Sequence, residues 1–451
     1  MLVHFLTISI FILLVRGTLT LIFLLQSFNW LEKNIGFNKE KTSLKIKPKL
    51  TVLIPALREQ KRIISTLKHF VKYFLKQGVR IIVITTQKEF ESRFEGPSTR
   101  KIVIDFIKKQ NLENKICCIN YPKKNGIMAH QLNFVLKTIT NKNSFIAIYN
   151  ADSKPHPKTV QLFYEQLLKH PDAQIFQQSS VFIKNYSKFN SSNSVINLFL
   201  RTSAILQTRW TFAHEFPRLM RQSVYKNNFF KRFANAHVVG HGLFIKTAVL
   251  KEVGGFPTQN LTEDLFLGYL LRSKGYYIYP LPLLELADSP SSVQALWRQK
   301  YVWFWGPMKY ITYLKYVVDN SKALKIKYAI PPIFFTIQGL LSAIAWLSSA
   351  PIVIISLLSP LFISNITFVF VAYIAIFIYG PLQFFIVYYN FPILFKLCGE
   401  YHPRPNLQKL ILVSLMSVPA IIFNSIPPYF SLFSEINHKL TGKSIYKPKT
   451  E

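Results

Sequence analysis

Acid is what this chain has least of for its size: 21 Asp and Glu stand against 55 Lys and Arg, a formal net charge of +34 in 451 residues. Between Tyr328 and Phe395 the shortage is complete, with no Asp, Glu, Lys, Arg or His at all. A soluble domain of ordinary composition does not tolerate such a gap, so the region reads as membrane-crossing. Cysteine is nearly missing too. Cys117 and Cys118 are adjacent and Cys398 is distant, which argues against a disulfide framework and for reducing surroundings around the polar part. The basic excess does not imply nucleic acid as a partner, because the Lys and Arg are scattered and no nucleic-acid signature accompanies them. Anionic lipid headgroups and phosphorylated substrates account for it more simply.

Residues 3–25 are apolar apart from His4 and Arg16. The basic n-region and small-residue cleavage site of a signal peptide are missing, so an N-terminal transmembrane anchor over 1–27 is expected. Between Glu32 and Lys49 six Lys face two Glu, which places that flank on the cytoplasmic side. At the other end a membrane region over 328–433 contains three spans, 328–349, 366–388 and 410–433, with Ile352–Ile363 as a further short or re-entrant piece. Pro351, Pro360, Pro419, Pro427 and Pro428 read as helix breakers. Three spans put the basic tail, 434–451 with Lys439, Lys443, Lys447 and Lys449, on the far side. That conflicts with the positive-inside rule, and a fourth span or re-entrant piece removes the conflict. Residues 291–318 mix Trp297, Trp303, Phe304 and Trp305 with Arg298, Lys300, Lys309 and Lys315, which predicts an amphipathic helix in the headgroup region. A multi-pass protein of the cell membrane with a cytoplasmic catalytic domain follows, the lipid bilayer being its first partner.

Residues 48–290 change character. Apolar strands at Leu50–Pro55, Val79–Thr85, Lys115–Asn120 and Phe145–Tyr149 alternate with helical stretches at 60–76, 98–110 and Met128–Thr138, an α/β pattern that predicts a parallel sheet covered on both faces. Such sheets bind ligands beyond the carboxyl ends of their strands, where Pro55, Thr86 and Asn150-Ala151-Asp152 fall. Later come a loop and strand at 237–245, a short helix at Thr247–Gly254 and a strand at Tyr276–Pro280. Between these last two, Thr262-Glu263-Asp264 opens an apolar-periodic run ended by Gly275, with Thr262 as N-cap. Two acids in a first turn suit the helix dipole, which favours an ionised Asp264 able to accept a proton.

Taken together, Thr51 to Glu59, Gln131-Leu132-Asn133, Asn150 to Pro155, Gly240-His241-Gly242, Val253 to Phe256, Thr262 to Asp264 and Gln299 to Trp303 resemble the membrane-embedded family-2 glycosyltransferases, the cellulose, chitin and hyaluronan synthase group. The resemblance implies a GT-A fold flanked by N- and C-terminal transmembrane helices, a nucleotide-sugar donor of the UDP type, Mg²⁺ or Mn²⁺, and inversion by direct displacement. Carried onto matching positions, Asp152 is the metal ligand and Asp264 the general base. Pro55, Ala56 and Glu59 lie near the nucleotide, Gln131, Asn133, Asn150, Gly242 and Glu263 line the substrate site, and Gln299 and Trp303 close over donor and acceptor. Four positions depart from the family pattern. Asn150 replaces the first acid of Asp-x-Asp, and the acid after the second strand is missing, which passes uridine recognition to Glu89. Met128 stands where a Lys is common, leaving the diphosphate to Lys123 or Lys124. Val302 replaces the Arg of Gln-x-x-Arg-Trp and weakens the case for polymerisation. The expected activity is transfer of a sugar to a glycan or lipid-linked acceptor. The alternatives are single addition to a polyprenyl phosphate, or an idle membrane scaffold. The sequence names no protein partner.

Overall fold

The computed structural model of the chain describes residues 2–34, 47–91, 96–190, 194–224, 228–260, 262–324, 326 and 330–442. Most of the lysine-rich flank, 35–46, and the tail beyond 442 lie outside the described residues.

Eight strands form one sheet: β1 (Leu50–Pro55), β2 (Arg80–Thr86), β3 (Ile116–Tyr121), β4 (Phe145–Ile148), β5 (Lys154–Pro155), β6 (Ile175–Val181), β7 (Leu243–Lys246) and β8 (Tyr279–Leu286), in the order β3-β2-β1-β4-β7-β6-β8-β5. Helix α1 (Leu2–Asn34) precedes them. Interleaved are α2 (Ile63–Tyr73), α3 (Thr99–Lys109), α4 (Met128–Leu136), α5 (Thr159–Lys169), α6 (Val195–Trp210), α7 (Phe216–Val224), α8 (Asn228–Phe233), α9 (Thr247–Glu252) and α10 (Glu263–Ser273). Then follow α11 (Val293–Met308), α12 (Tyr310–Asp319), α13 (Ile330–Leu357), α14 (Ile366–Tyr379), α15 (Pro381–Tyr389), α16 (Phe391–Leu397) and α17 (Leu407–Thr441).

The first half matches the expected pattern. Strands β3, β2, β1 and β4 run parallel, and successive residues point to opposite faces. Val52, Ile54, Ile81 and Val83 therefore pack under Phe70 and Phe163, while Leu53, Ile82 and Ile84 pack under Leu132 and Val135. The second half corrects the all-parallel expectation: β7 is antiparallel to both β4 and β6, and β8 is parallel to β6 but antiparallel to β5. Strand β6 was not among the expected strands; its Gln177-Gln178-Ser179-Ser180 stretch is polar, yet all four are buried. Their polar atoms are met from within. Gln177 donates to the His241 carbonyl at 2.8 Å, Gln178 to Thr159 Oγ1 at 2.9 Å, and Ser179 to Glu215 at 2.7 Å. The strand expected at Tyr276–Pro280 instead begins at Tyr279 and runs to Leu286.

Among the described residues four helices are long and apolar enough to cross a membrane: His4–Asn34, Ile330–Leu357, Ile366–Tyr389 and Leu407–Thr441. Ile352–Leu357 continues α13 rather than forming a separate piece, and Pro351, Pro419, Pro427 and Pro428 sit inside helices. Proline removes the hydrogen bond to the carbonyl four residues earlier. For Pro351 that carbonyl is Leu347, and Tyr429 Oη donates to it at 2.7 Å. For Pro428 it is Asn424, met by Trp346 Nε1 at 2.8 Å. Helices α13 and α17 thus repair each other's breaks, as neighbouring helices do in membranes. The expected helix at 291–318 is two, parted at Lys309. Trp297 of α11 packs edge-on against Phe423 and Phe430 of α17.

Candidate active site

Helix α10 begins at the expected place, but Thr262 does not cap it. Its hydroxyl makes no capping bond and lies 3.4 Å from Tyr313 Oη. The helix is fixed by its other side: Phe266 stacks on Tyr313 at 4.5 Å, and Tyr269 Oη reaches the Pro332 carbonyl and Thr336 Oγ1 of α13, both at 2.9 Å. Gly306 of α11 packs so closely on this start that a Cβ there would lie 2.9 Å from Thr262 Oγ1.

Asp264 accepts two backbone N–H groups, from Leu265 at 2.8 Å and from Gly240 at 2.9 Å. Burial raises the proton affinity of this carboxyl, against the expectation from the helix dipole, while the two N–H groups and the His241 charge oppose the rise. Glu263 beside it is pushed up to about 8 by burial and then by Asp264. The two N–H donors favour the charged form of Asp264 and burial favours the neutral form of Glu263, so Glu263 is the member of the pair that takes up a proton more readily.

His241 Nδ1 lies 2.9 Å from Ser180 Oγ and 3.1 Å from Glu285 Oε2. Burial opposes its charge, but Glu285, then Glu215 and Asp152, overcome this and raise the imidazole to about 9. Asp264 and Asp152 both feel this one buried cation. Glu215 next to it is raised to about 7 by burial.

Asp152 follows β4 in a loop tied down by three bonds: Asn150 N to Ser153 Oγ at 2.9 Å, Thr66 Oγ1 to the Ala151 carbonyl at 2.7 Å, and Lys184 Nζ to the Asp152 carbonyl. Burial raises its carboxyl, while Lys184 pulls it back. Arg62 Nη1 stands 3.9 Å from Oδ2. Pro55 ends β1 next to β4, and Ala56 N extends the ladder to the Ile84 carbonyl at 2.8 Å. Glu59 N bonds Thr99 Oγ1 at 3.0 Å. Glu89 is fully buried, and its Oε1 accepts from Thr99 N, Thr99 Oγ1 and Gln60 Nε2 at 2.8, 2.6 and 2.9 Å. Its Oε2 has no hydrogen-bond partner among the described residues, and neither has the buried Oε1 of Gln131.

Other expected residues serve the scaffold. Both amide atoms of Asn133 are engaged by the Phe256 backbone, at 2.7 and 2.8 Å, so this side chain holds the Val253–Phe256 turn. Gly242 has φ +68°, and a Cβ there would meet the Gln178 carbonyl at 2.3 Å. It is the point where the chain entering β7 comes closest to β6. Lys123 lines, with Asn133 and Lys251, a surface hollow of about 700 Å³ that includes neither Asp152 nor Asp264. Lys124 is exposed on the same loop. Gln299 Oε1 accepts from Gln207 at 2.6 Å, and Trp303 packs against Phe182 at 5.8 Å. The sequence reading missed Glu285, Ser180, Glu215, Lys184 and Lys300. Glu285 was visible as a lone acid in the apolar run Leu281–Leu286. Lys300 is buried, lowered to about 7 by that burial, and holds its ammonium 4.3 Å from the Trp303 ring centre.

A sheet with carboxylates at strand ends and at one helix start, joined to four apolar helices, defines a nucleotide-sugar transferase architecture. Residues 145–388, more than half of the chain, match the glycosyl transferase family group 2 model, and the chain belongs to that family. It is a glycosyltransferase that draws on a nucleotide-sugar. It is 23% identical to the probable glycosyltransferase YdaM of Bacillus subtilis (strain 168) over 93% of this chain and 90% of that protein. Among solved structures, a mannosyltransferase from Pyrobaculum calidifontis in complex with GDP-Man and Mn²⁺ is 14% identical, covering 97% of this chain and 100% of its own, with a TM-score of 0.46. TarS 1–349 from S. aureus is 13% identical over 74% of this chain and 90% of its own, with a TM-score of 0.35.

Proposed function

We propose that the chain is an inverting, metal-dependent glycosyltransferase that moves a sugar from a UDP-type donor to the hydroxyl of a glycan or lipid-linked acceptor at a membrane. The observation that carries this reading is the buried Asp264 carboxylate, aimed by two backbone N–H groups and sharing the His241 cation with Asp152. Asp264 takes the proton of the acceptor hydroxyl as its oxygen attacks the anomeric carbon, and the bond from that carbon to the diphosphate breaks. The nucleoside diphosphate leaves with the bonding pair. His241 stays protonated and offsets charge gathered between the two acids.

Among the described residues no group of three or more His, Cys, Asp or Glu forms a closed metal site. Asp152 alone nevertheless fits Mg²⁺ or Mn²⁺, which commonly bind through one or two carboxylates with substrate phosphates completing the shell. Such an ion, when bound, would offset the negative charge of the leaving diphosphate. The unpartnered Oε2 of Glu89 supports a uracil base, whose imide N–H is a donor of the kind this buried acceptor lacks. Val302 in place of an arginine favours addition of one sugar over polymerisation. With nucleotide-sugars and acceptor-bearing membranes, Asp264→Asn is expected to lower turnover by about 10²–10⁴-fold while nucleotide binding is kept. Unchanged turnover removes the assignment of the base, and product mass separates one added sugar from many.

A further inference from the structure

We infer that Arg16 and Arg209, meeting around Tyr379 among the apolar helices, form a site for a phosphate group carried on a lipid. Arg16 is the only cation of α1 between His4 and Lys33. Its guanidinium carbon is 5.2 Å from the centre of the Tyr379 ring, and Nη2 donates to Ser349 Oγ of α13 at 3.2 Å. Arg209 of α6 approaches the same ring at 5.6 Å, with Nη1 donating to Gln383 Oε1 at 2.6 Å and the Tyr379 carbonyl at 3.3 Å. Gln383 turns its own amide to the Gly17 carbonyl and Thr20 Oγ1 of α1, both at 2.9 Å. Helices α1, α6, α13, α14 and α15 therefore converge on these two cations.

What the site lacks is an anion. Neither arginine has an ion-pair partner among the described residues, and Arg16 Nη1 and Arg209 Nε are buried with no hydrogen-bond acceptor among them. The surroundings add further positive charge. Arg218 donates to Ser342 Oγ at 3.0 Å, and burial followed by Arg209, Arg218 and Arg16 drives the His214 imidazole well below its usual range. The nearby acid, Glu215, faces Arg218 and is bonded by Ser179. His214 and Glu215 lie in a single π-helical turn, Thr211–Glu215, a geometry found often at functional sites. Charged residues among membrane-crossing helices are costly and mark binding or transport sites, and paired guanidinium groups match the oxygens of a phosphate.

The place selects the carrier. Ser27 Oγ donates to the Phe212 carbonyl at 2.7 Å where α1 meets the catalytic domain. At 1.5 Å per residue Arg16 is about 16 Å further along the helix, among the apolar spans. Arg16 is only partly buried there, whereas Arg209 is buried. A lipid reaches that point more readily than a soluble nucleotide. The inference does not depend on the donor or the base assignment.

The test uses the full chain purified from membranes in mild detergent, washed, and extracted for mass spectrometry of phosphorus-bearing lipids. The wild type is expected to retain about one such lipid per chain. Arg16→Gln and Arg209→Gln are expected to retain about tenfold less, the effect of losing one charge-assisted hydrogen bond, and Arg209→Lys an intermediate amount. The mass tells a phospholipid headgroup from a lipid-linked monophosphate, and either supports the site. Equal retention by wild type and both Gln variants overturns it. So does a wild type that retains no phosphorus-bearing lipid, a result that decides the matter even if a variant fails to fold. After delipidation, vesicles of anionic phospholipid should raise the melting temperature and inorganic phosphate should not. Equal effects of the two would overturn the lipid carrier.

Discussion

Glu263 and Asp264 are chain neighbours of the same chemistry, and the structure gives them different surroundings that one substitution separates. Glu263 has an ordinary carboxyl value of 4.5 when unfolded and about 8 when folded. Between those values the folded chain holds a proton that the unfolded chain has released, so stability falls as pH rises. The penalty is absent below about pH 4.5 and complete above about pH 8. At about 1.4 kcal/mol per pH unit the ceiling is on the order of 5 kcal/mol across the window. Glu263→Gln keeps the shape of the protonated side chain and cannot ionise. Melting curves in detergent from pH 5 to pH 9 should therefore coincide for wild type and variant at pH 5 and diverge above it, with the variant melting higher at pH 9. Turnover at pH 7, where Glu263 is already neutral, should stay near the wild-type rate. Parallel curves would refute the shared-proton reasoning. So would a loss of turnover as deep as that of Asp264→Asn.

Other substitutions probe the rest of the site. Asp152→Asn should raise the Mn²⁺ concentration needed for half-maximal turnover by more than about tenfold, since even outer partners of metal sites cost 10–100-fold; an unchanged requirement removes the metal assignment. In the wild type the His241–Glu285 pair stabilises the fold fully below about pH 6.5 and loses that contribution as pH rises through about 9. Glu285→Gln removes the largest influence opposing burial at the imidazole, while Glu215 and Asp152 remain, so the alkaline limb of the pH–rate profile should move down from near 9. A limb that stays in place shows that His241 does not act through its charge. Gly242→Ala forces a Cβ into a φ of +68° and to 2.3 Å from the Gln178 carbonyl. It should cost more than about 1 kcal/mol and lower the melting temperature, and a silent substitution contradicts the described β6–β7 approach.

The half of the fold built from β1 to β4 was legible because its strands are unbroken apolar runs between helices, and that pattern permits little else. The other half was not. Strand β6 pairs through residues whose side chains are polar, and burial of Gln177 and Ser180 makes sense only once the His241 loop arrives to bond them. The prolines of α13 and α17 misled for the same reason, because the turns broken at Pro351 and Pro428 are mended by side chains from the other helix. At the site, Asp152 and Asp264 announced themselves by their places at a strand end and a helix start. Their linkage through His241 depends on Glu285, which pattern alone gave no reason to single out. The bonds of Asn133 to Phe256 and the close approach of Gly242 to Gln178 were not legible, since a motif says where a residue stands and not which atoms it spends on its neighbours.

The bonds from Tyr269 to Pro332 and Thr336 tie the helix that starts at Glu263 and Asp264 to an apolar helix long enough to cross a bilayer. Under the proposed function, a bilayer whose thickness changes the lean of that helix would also turn the Asp264 carboxylate against the sugar. Acyl-chain length, a property of the solvent far from any reacting atom, would thereby act as a throttle on turnover.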